Sequence, residues 1–285
     1  MISISILITC YNRKEKSLNC LKQIYNLNLP DNICLDIFMV DGGSTDGTPE
    51  EVSRKYPEVN LEVSDGLYWA GGMRKAWTNA ISKYNYDYYW LLNDDTNIYA
   101  DSLKRLLMAD DYSMSTFGRH GLYTGCTKSP STGIVTYGAK TLIDKSRLKG
   151  KLVSPNDSEY IECDLCNGNI LFVPKDVYQE CGILSEIYTH GIADWDYSLR
   201  AKRKGIPVLV LPGFLGECER DHGRGYLPQS SSLKKRLDYL YSPKGLAYED
   251  FMYFTKMFFP KDYYPQKIRL WIKTLFPFVY DWFKK

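Results

Sequence analysis

The stretch Tyr88-Tyr89-Trp90-Leu91-Leu92-Asn93-Asp94-Asp95-Thr96, YYWLLNDDT, places two adjacent carboxylates directly after an apolar run. A short run that is apolar at every position is typical of a strand buried on both faces of a parallel sheet. Carboxylates at the exit of such a strand are costly to bury unless a counter-charge, a metal or several hydrogen bonds compensate them. The stretch therefore predicts a buried strand that ends in a polar site, with positive charge beside Asp94 and Asp95.

The segments before this strand alternate between strand and helix patterns. We predict strands at 3–9, 35–40 and 61–63, and helices at 14–25, 49–56 and 72–84. This alternation is typical of an α/β fold whose mostly parallel sheet has helices on both faces and binds ligands beyond the carboxyl ends of its strands. Polar clusters at 9–12, 41–44 and 93–95 follow three of the strands, so we expect them to meet in one crevice.

The pattern changes after residue 109. Short, turn-rich β segments occupy 121–127, 133–141 and 160–173, with helices predicted at 175–181 and 195–204. Residues 232–285 read as helices rich in aromatic and basic side chains. We predict a first half at 1–109, a smaller mixed second lobe of the same domain at 110–225, and a C-terminal helical extension at 226–285.

The composition is that of an ordinary globular protein, with 44% hydrophobic and 25% charged residues among 285. Lysine plus arginine (36) nearly balances aspartate plus glutamate (34), so nucleic acid is not expected as a partner. Eight scattered cysteines favour a reducing compartment, and Cys163 and Cys166, although spaced like a zinc or redox pair, are interpreted as buried thiols. The sequence begins with a strand pattern rather than a signal peptide, and it contains no apolar run long enough to span a membrane. We therefore predict a cytoplasmic location.

The acidic pair has two interpretations. Asp94 and Asp95 could bind a divalent cation and a sugar hydroxyl, the interpretation that we favour. Alternatively, Asp95 or Thr96 could cap a helix that starts near Tyr99.

Two glycine-containing loops are weaker signals. Asp41 could bind a base or sugar, since Gly42 and Gly43 allow close approach of the backbone, but a tight loop that caps the next helix is an equal alternative. Gly71 and Gly72 at a helix start, with Arg74 one turn in, could cradle a phosphate, although no known phosphate motif is complete there.

Acidic and imidazole groups in the second lobe complete the candidates. Asp194 and Asp196 begin a helix, where in isolation they only complement the helix dipole, and a base among them would have to face the crevice. His222 lies between two arginines and flexible glycines, which suits closure over a diphosphate or a metal shell, with a solvated loop as the alternative. His120 and His190 are interpreted as structural.

Six segments together resemble the family-2 glycosyltransferases of the GT-A fold, and most closely the bacterial branch of rhamnosyl- and galactofuranosyl-transferases. The resemblance covers roughly residues 2–225. Its carriers are ILITCYNR at 6–13, VDGGSTDGT at 40–48, GLYWAGGMRKA at 66–76, WLLNDDT at 90–96, NGNILFVPKDVYQECG at 167–182 and ADWDYSLRAKRKG at 193–205.

The resemblance implies a role for each matching residue. The nucleotide-sugar would be bound by Thr9, Tyr11, Asp41, Gly71, Gly72, Arg74 and Asp94. Asp95 and His222 would hold Mg²⁺ or Mn²⁺, and Asp194 would be the catalytic base. Ala193 stands where the family usually has glutamate, so the base assignment rests on Asp194, with Asp196 as its rival.

The resemblance also implies an activity. The enzyme would transfer a sugar, with inversion, from a UDP- or dTDP-linked donor to a hydroxyl of a glycan or polyprenyl-linked glycan in surface polysaccharide synthesis. A non-catalytic carbohydrate- or nucleotide-binding relative is the alternative. Residues 265–285 mix aromatic and basic side chains as interfacial helices do, so we expect peripheral membrane contact at the inner face of the membrane, against the alternative of a helix packed on the domain.

Overall fold

The structure is a computed structural model that describes residues 1–220 and 225–283. Its strands are Ile2–Cys10 (β1), Ile33–Asp41 (β2), Asn60–Val63 (β3), Tyr88–Leu92 (β4), Asn97–Ile98 (β5), Leu122–Lys128 (β6), Val135–Tyr137 (β7), Ala139–Asp144 (β8), Lys149–Leu152 (β9), Ile161–Glu162 (β10), Leu165–Cys166 (β11), Ile170–Pro174 (β12) and Val208–Glu217 (β13).

Helices connect and follow these strands. They are Lys14–Tyr25 (α1), Thr48–Lys55 (α2), Trp69–Lys83 (α3), Ser102–Phe117 (α4), Lys175–Cys181 (α5), Ala193–Arg203 (α6), Leu233–Tyr241 (α7), Tyr248–Phe258 (α8), Tyr263–Leu275 (α9) and Phe278–Phe283 (α10), with a 3₁₀ turn at Pro260–Asp262.

The central sheet has the strand order β10-β13-β6-β12-β4-β1-β2-β3, with β5 on β13 and β7 on β6. Strands β4, β1, β2 and β3 are mutually parallel, whereas β12 runs antiparallel between β4 and β6. A small antiparallel sheet, β11-β8-β9, lies beside it. The predicted α/β class, with a mostly parallel sheet and a mixed second lobe, is confirmed.

The apolar run in β4 is explained by burial on both faces of the sheet. Tyr89 and Leu91 pack with α3, α5 and α6 on one face, whereas Trp90 and Leu92 pack with α1, α2 and α4 on the other. All four side chains are inaccessible to solvent. Because both faces of β4 are covered, polar side chains are expected beyond its carboxyl end rather than along the strand.

The C-terminal helices pack on the domain. Phe254 of α8 belongs to the main core, and Asp250 of the same helix accepts a hydrogen bond from the Thr189 amide at 2.8 Å. Asp262 accepts one from the Leu148 amide at 2.7 Å. The predicted boundary between residues 109 and 110 falls inside α4, which runs across it without a break.

Candidate active site

The acidic pair lies at the carboxyl end of β4, beside the start of α1. Arg13 Nη1 donates to Asp95 Oδ2 at 2.6 Å, and Lys16 Nζ lies 3.8 Å from the same oxygen. Ser17 Oγ donates to Asp94 Oδ2 at 3.0 Å. The positive charge expected from the sequence is therefore supplied within the protein by two side chains of the neighbouring α1 region.

Burial, together with the adjacent Asp95 charge, raises the pKa of Asp94 to about 7, while the Arg13 charge opposes the shift. A cation that approaches such a carboxylate stabilises its ionised form. The helix-cap interpretation is wrong, because α4 begins at Ser102 with Asp101 as its N-cap.

Two adjacent carboxylates fit Mg²⁺ or Mn²⁺, since such ions are often held by one or two carboxylates together with substrate phosphates. Within residues 1–220 and 225–283, no group of three or more His, Cys, Asp or Glu side chains is arranged to hold a metal. His222, the other predicted metal ligand, lies outside the described residues. Of the two predicted metal ligands, the structure describes Asp95, and Asp94 lies beside it.

Thr9 and Tyr11, the predicted nucleotide-binding residues at the end of β1, differ in exposure. Thr9 is buried, and a Cβ at Gly72 would overlap its side-chain oxygen, so Gly72 permits the close approach of α3 to β1. Tyr11 is 47% exposed, and Lys244 Nζ lies 5.2 Å from its ring centroid. The C-terminal segment between α7 and α8 therefore reaches the predicted nucleotide pocket.

Asp41 organises its own loop. Its Oδ1 accepts from the amides of Gly43 (2.9 Å) and Ser44 (2.6 Å), and its Oδ2 lies 3.1 Å from Cys10 Sγ. The side chain is fully buried. Both oxygens are engaged within the protein, and the predicted contact of Asp41 with a base or ribose stays a prediction.

Arg74 is also used within the protein. Its Nη1 donates to the carbonyls of Ser185 (2.8 Å) and Tyr188 (2.9 Å), and burial lowers the pKa of its guanidinium. Gly71, in the preceding turn, would bring a Cβ within 3.2 Å of the Leu67 side chain. Arg74 thus ties α3 to the segment before α6, and its predicted contact with the nucleotide-sugar stays a prediction.

Asp194 begins α6 with its carboxylate buried and bound by backbone amides. Gly168 N–H donates to Oδ2 at 2.9 Å and Trp195 N–H to Oδ1 at 2.8 Å. Burial raises the pKa of Asp194 to about 6, although these two hydrogen bonds oppose the shift. A carboxylate with this pKa is ionised at neutral pH and remains basic enough to accept a proton.

Asp196 has a different environment. Arg200 Nε donates to its Oδ2 at 2.7 Å, and the Tyr188 hydroxyl donates to its Oδ1 at 3.2 Å. This ion pair occupies the carboxylate and joins α6 to the segment held by Arg74. Of the two candidate bases, Asp194 is the one without an ion-pair partner among the described residues.

Trp69, which the sequence did not single out as a site residue, connects the acidic pair to Asp194. Its Nε1 donates to Asn93 Oδ1 at 2.7 Å, and its backbone amide donates to His190 Nδ1 at 3.3 Å. A Cβ at Gly168 would overlap the Trp69 ring. The ring therefore packs directly against the backbone that holds Asp194, and the same edge of the indole, through Nε1, contacts Asn93, the residue before Asp94.

Three basic residues near the candidate site residues have weak sequence signals or none. Arg13 lies within the ILITCYNR segment, so its position after β1 could have marked it. Lys244, and Lys140 on β8, are isolated lysines without a recognisable pattern, and only their three-dimensional contacts identify them.

The sheet order, with the acidic pair at the carboxyl end of β4, is that of the GT-A fold. Residues 5–127 match the model of "Glycosyl transferase family 2". The chain is 27% identical to poly-beta-1,6-N-acetyl-D-glucosamine synthase of Staphylococcus epidermidis, over 75% of this chain and 51% of that protein. It thus spans about half the length of the curated relatives that it matches.

Solved structures share the fold. The mannosyltransferase PcManGT from Pyrobaculum calidifontis, in complex with GDP-Man and Mn²⁺, has a TM-score of 0.52 at 16% identity, covering 78% of this chain and 58% of that one. S. aureus TarS 1-349 in complex with UDP-GlcNAc has a TM-score of 0.52 at 13% identity, covering 78% and 60%. The resemblance to family-2 glycosyltransferases is confirmed; the rhamnosyl- and galactofuranosyl-transferase branch receives no specific support.

Proposed function

We propose that the protein is an inverting glycosyltransferase that moves a sugar from a UDP- or dTDP-linked donor to a hydroxyl of a glycan or lipid-linked glycan. The observation that carries this proposal is the chain of contacts from Asp194 through Gly168 and Trp69 to Asn93, next to the acidic pair. These contacts link a basic carboxylate to a cation-attracting pair, since Asn93 N–H also donates to the carbonyl of Asn169, the residue after Gly168, at 3.1 Å. The in-line displacement that we propose needs the base and the leaving group on different faces of the donor sugar.

Asp194 would accept the proton of the acceptor hydroxyl as the hydroxyl oxygen attacks the anomeric carbon. The amides of Gly168 and Trp195 hold the carboxylate in one orientation, so that it need not reorganise during the reaction. With one base on one face of the sugar and the diphosphate leaving from the other, a single displacement inverts the anomeric configuration.

Asp94 and Asp95 would hold Mg²⁺ or Mn²⁺ at the diphosphate end. A bound divalent cation would neutralise the charge that develops on the leaving diphosphate. Arg13 and Lys16, already beside Asp95, would add positive charge there. That PcManGT is described with GDP-Man and Mn²⁺, and TarS with UDP-GlcNAc, supports a nucleotide-sugar donor and a cation.

The test is calorimetric titration with UDP, dTDP, GDP and CDP, each with and without Mn²⁺. We expect UDP or dTDP to bind with an affinity that Mn²⁺ increases and that Asp95→Ala removes. Asp111→Ala, which changes an exposed carboxylate of α4, should bind like the wild type. No nucleotide binding by the folded protein would refute the proposal, and binding without any sugar transfer would indicate the non-catalytic relative.

The exposed face of α9 supports a contact with lipid. Tyr264 and Ile268 are 71% and 60% exposed, Phe276 and Phe278 just beyond α9 are half exposed, and Arg269 lies among them. Apolar and basic side chains on one face are typical of interfacial helices, so we include peripheral membrane contact in the proposal. Among the described residues, no helix is long and apolar enough to cross a membrane.

A further inference from the structure

A groove outside the candidate active site is lined by α4, by the loop before β10 and by a bulge in β13. Its volume of about 630 Å³ lies within the range of roughly 300–1,000 Å³ that small-ligand sites occupy. Apolar and aromatic side chains predominate in its lining, as they do in most ligand sites. They are Tyr99, Met108, Tyr160, Leu211, Pro212 and Phe214.

The bulge in β13 builds this groove. The register of β13 against β6 shifts on either side of Phe214, and Gly213 has a φ of +59°, in the left-handed region that favours glycine. Gly213 N–H donates to the Asn156 carbonyl at 2.6 Å, which ties the loop before β10 to the bulge. A bulge leaves backbone groups without partners in the sheet, and Arg105 of α4 donates to the carbonyls of Pro212 and, at 2.8 Å, Phe214. All three lining elements are therefore bound to one another within the protein.

The charges that line the groove favour a neutral ligand. Asp101 and Asp157 supply two carboxylates against the single guanidinium of Arg105. Asp101 Oδ2 lies 3.8 Å from Arg105 Nη1, whereas within the described part of the chain the Asp157 carboxylate forms no ion pair or hydrogen bond. An anion would meet net negative charge here, but the hydroxyl groups of a sugar can donate to the carboxylates.

The aromatic side chains offer flat surfaces of fixed orientation. The Tyr160 ring is stacked on that of Tyr112, with 4.3 Å between the ring centroids and 19° between the ring planes. The Tyr99 hydroxyl donates to Glu217 Oε1 at 3.2 Å. A tyrosine ring combines an apolar face with a polar edge, and a sugar ring presents the same two kinds of surface.

The groove begins close to the acidic pair. Tyr99 is four residues after Asp95, and a chain extends at most about 3.6 Å per residue, so their Cα atoms are no more than about 14 Å apart. Contacts join the same two residues, because Glu217 precedes Cys218, whose Sγ lies 3.6 Å from Asp95 Oδ1.

We propose that this groove binds a neutral segment of the glycan acceptor, several sugar units long, while the reacting hydroxyl of that acceptor lies at the candidate active site. This inference rests on the proposed function and narrows its substrate class from any glycan to an oligosaccharide with an uncharged segment. A second nucleotide-sugar does not fit the groove, because its diphosphate would meet the two carboxylates.

The test is calorimetric titration with cellopentaose, maltopentaose and chitopentaose, each with UDP and Mn²⁺ at saturation so that the donor site is filled. Pentagalacturonate is the anionic comparison. We expect at least one neutral pentasaccharide to bind and pentagalacturonate not to bind. Affinity should fall about tenfold in Tyr160→Ala and in Asp157→Ala, the loss of one ring contact or one hydrogen bond to a charged group.

Two control variants change similar side chains outside the groove. Tyr84→Ala removes a tyrosine that is 59% exposed at the end of α3, and Asp111→Ala removes an exposed carboxylate of α4. Both should bind the pentasaccharide like the wild type. Because Asp157 is exposed and lies in a loop, Asp157→Ala tests the groove even if Tyr160→Ala fails to fold, which thermal unfolding verifies.

A second measurement compares transfer to the bound pentasaccharide and to glucose. Asp157→Ala should raise the KM for the pentasaccharide about tenfold and leave the KM for glucose and for the donor unchanged. A merely structural defect would alter all three.

Three results would overturn the groove as an acceptor subsite: no binding of any neutral pentasaccharide by protein that binds UDP, tighter binding of pentagalacturonate, or wild-type affinity in both groove variants. Failure of UDP to bind is a different outcome and refutes the proposed function. Pentasaccharide binding that Asp157→Ala weakens would in that case still support a glycan site in the groove.

Discussion

Replacing Asp194 with asparagine should abolish transfer while sparing the donor. The substitution keeps the shape of the side chain and one acceptor oxygen for the Gly168 or Trp195 amide, but removes the proton acceptor. General-base catalysis contributes roughly 10²–10⁴-fold, so kcat should fall by about that factor. The Kd for UDP with Mn²⁺ should stay within about twofold, because Asp194 is bound by the amides of Gly168 and Trp195 and is not hydrogen-bonded to the acidic pair.

The raised pKa gives this prediction a pH dependence. Because Asp194 must be ionised to act, wild-type kcat/KM should fall about tenfold per pH unit below its pKa of about 6 and level off above it. The residual activity of Asp194→Asn should lack this titration. Rates measured from about pH 5 to 8 in constant ionic strength check both statements.

The same shift predicts an effect on stability. A folded-state pKa of about 6 against an ordinary value of 3.8 means that protonated Asp194 favours folding, a contribution present at low pH and lost as pH rises through 6. At about 1.36 kcal/mol per pKa unit, Asp194 contributes about 3 kcal/mol to the free energy of unfolding at low pH. About 2 kcal/mol of this contribution is lost as the pH rises from about 4.5 to 7.5. Urea denaturation should therefore find Asp194→Asn gaining about 2 kcal/mol relative to wild type across that interval.

Asp196→Asn is the matched control. It should keep the wild-type pH profile but lose stability, because Arg200 and Tyr188 would lose a charged partner. If Asp194→Asn retained full kcat, or if Asp196→Asn instead removed the titration near pH 6, the assignment of the base would be refuted.

Three further substitutions test other parts of the structure. Gly72→Ala should lower the free energy of unfolding by about 1–3 kcal/mol, because its Cβ would overlap the side chain of Thr9 in β1. Gly191→Ala is the control, since no atom lies within 4 Å of its new methyl group. Equal denaturation midpoints for the two variants would contradict this prediction. Lys244→Met should weaken UDP binding about fivefold in calorimetry, since the ammonium covers the ring of Tyr11, and an unchanged Kd would exclude Lys244 from the donor site. Ile268→Asp should reduce cosedimentation with anionic lipid vesicles, and undiminished binding would rule out α9 as the membrane contact.

Much of the first half of the fold could be predicted because its signals are local. The periodicity of α1 and the apolar run of β4 were predicted at the residues where they occur, whereas α3 begins at Trp69, three residues before the predicted start. The antiparallel insertion of β12 between β4 and β6 could not be predicted, because strand pairing depends on segments far apart in the chain.

For the site, local patterns predicted which carboxylates lie at strand and helix ends: Asp94 and Asp95 after β4, and Asp194 at the start of α6. The contacts of each carboxylate follow from three-dimensional packing. It pairs Asp95 with Arg13 and leaves Asp194 with backbone amides and the neighbouring charge of Lys140. The physical reason is range, because the placement of a polar residue at the end of an element follows from local patterns, whereas pKa and ion pairing depend on charges that packing brings from distant segments.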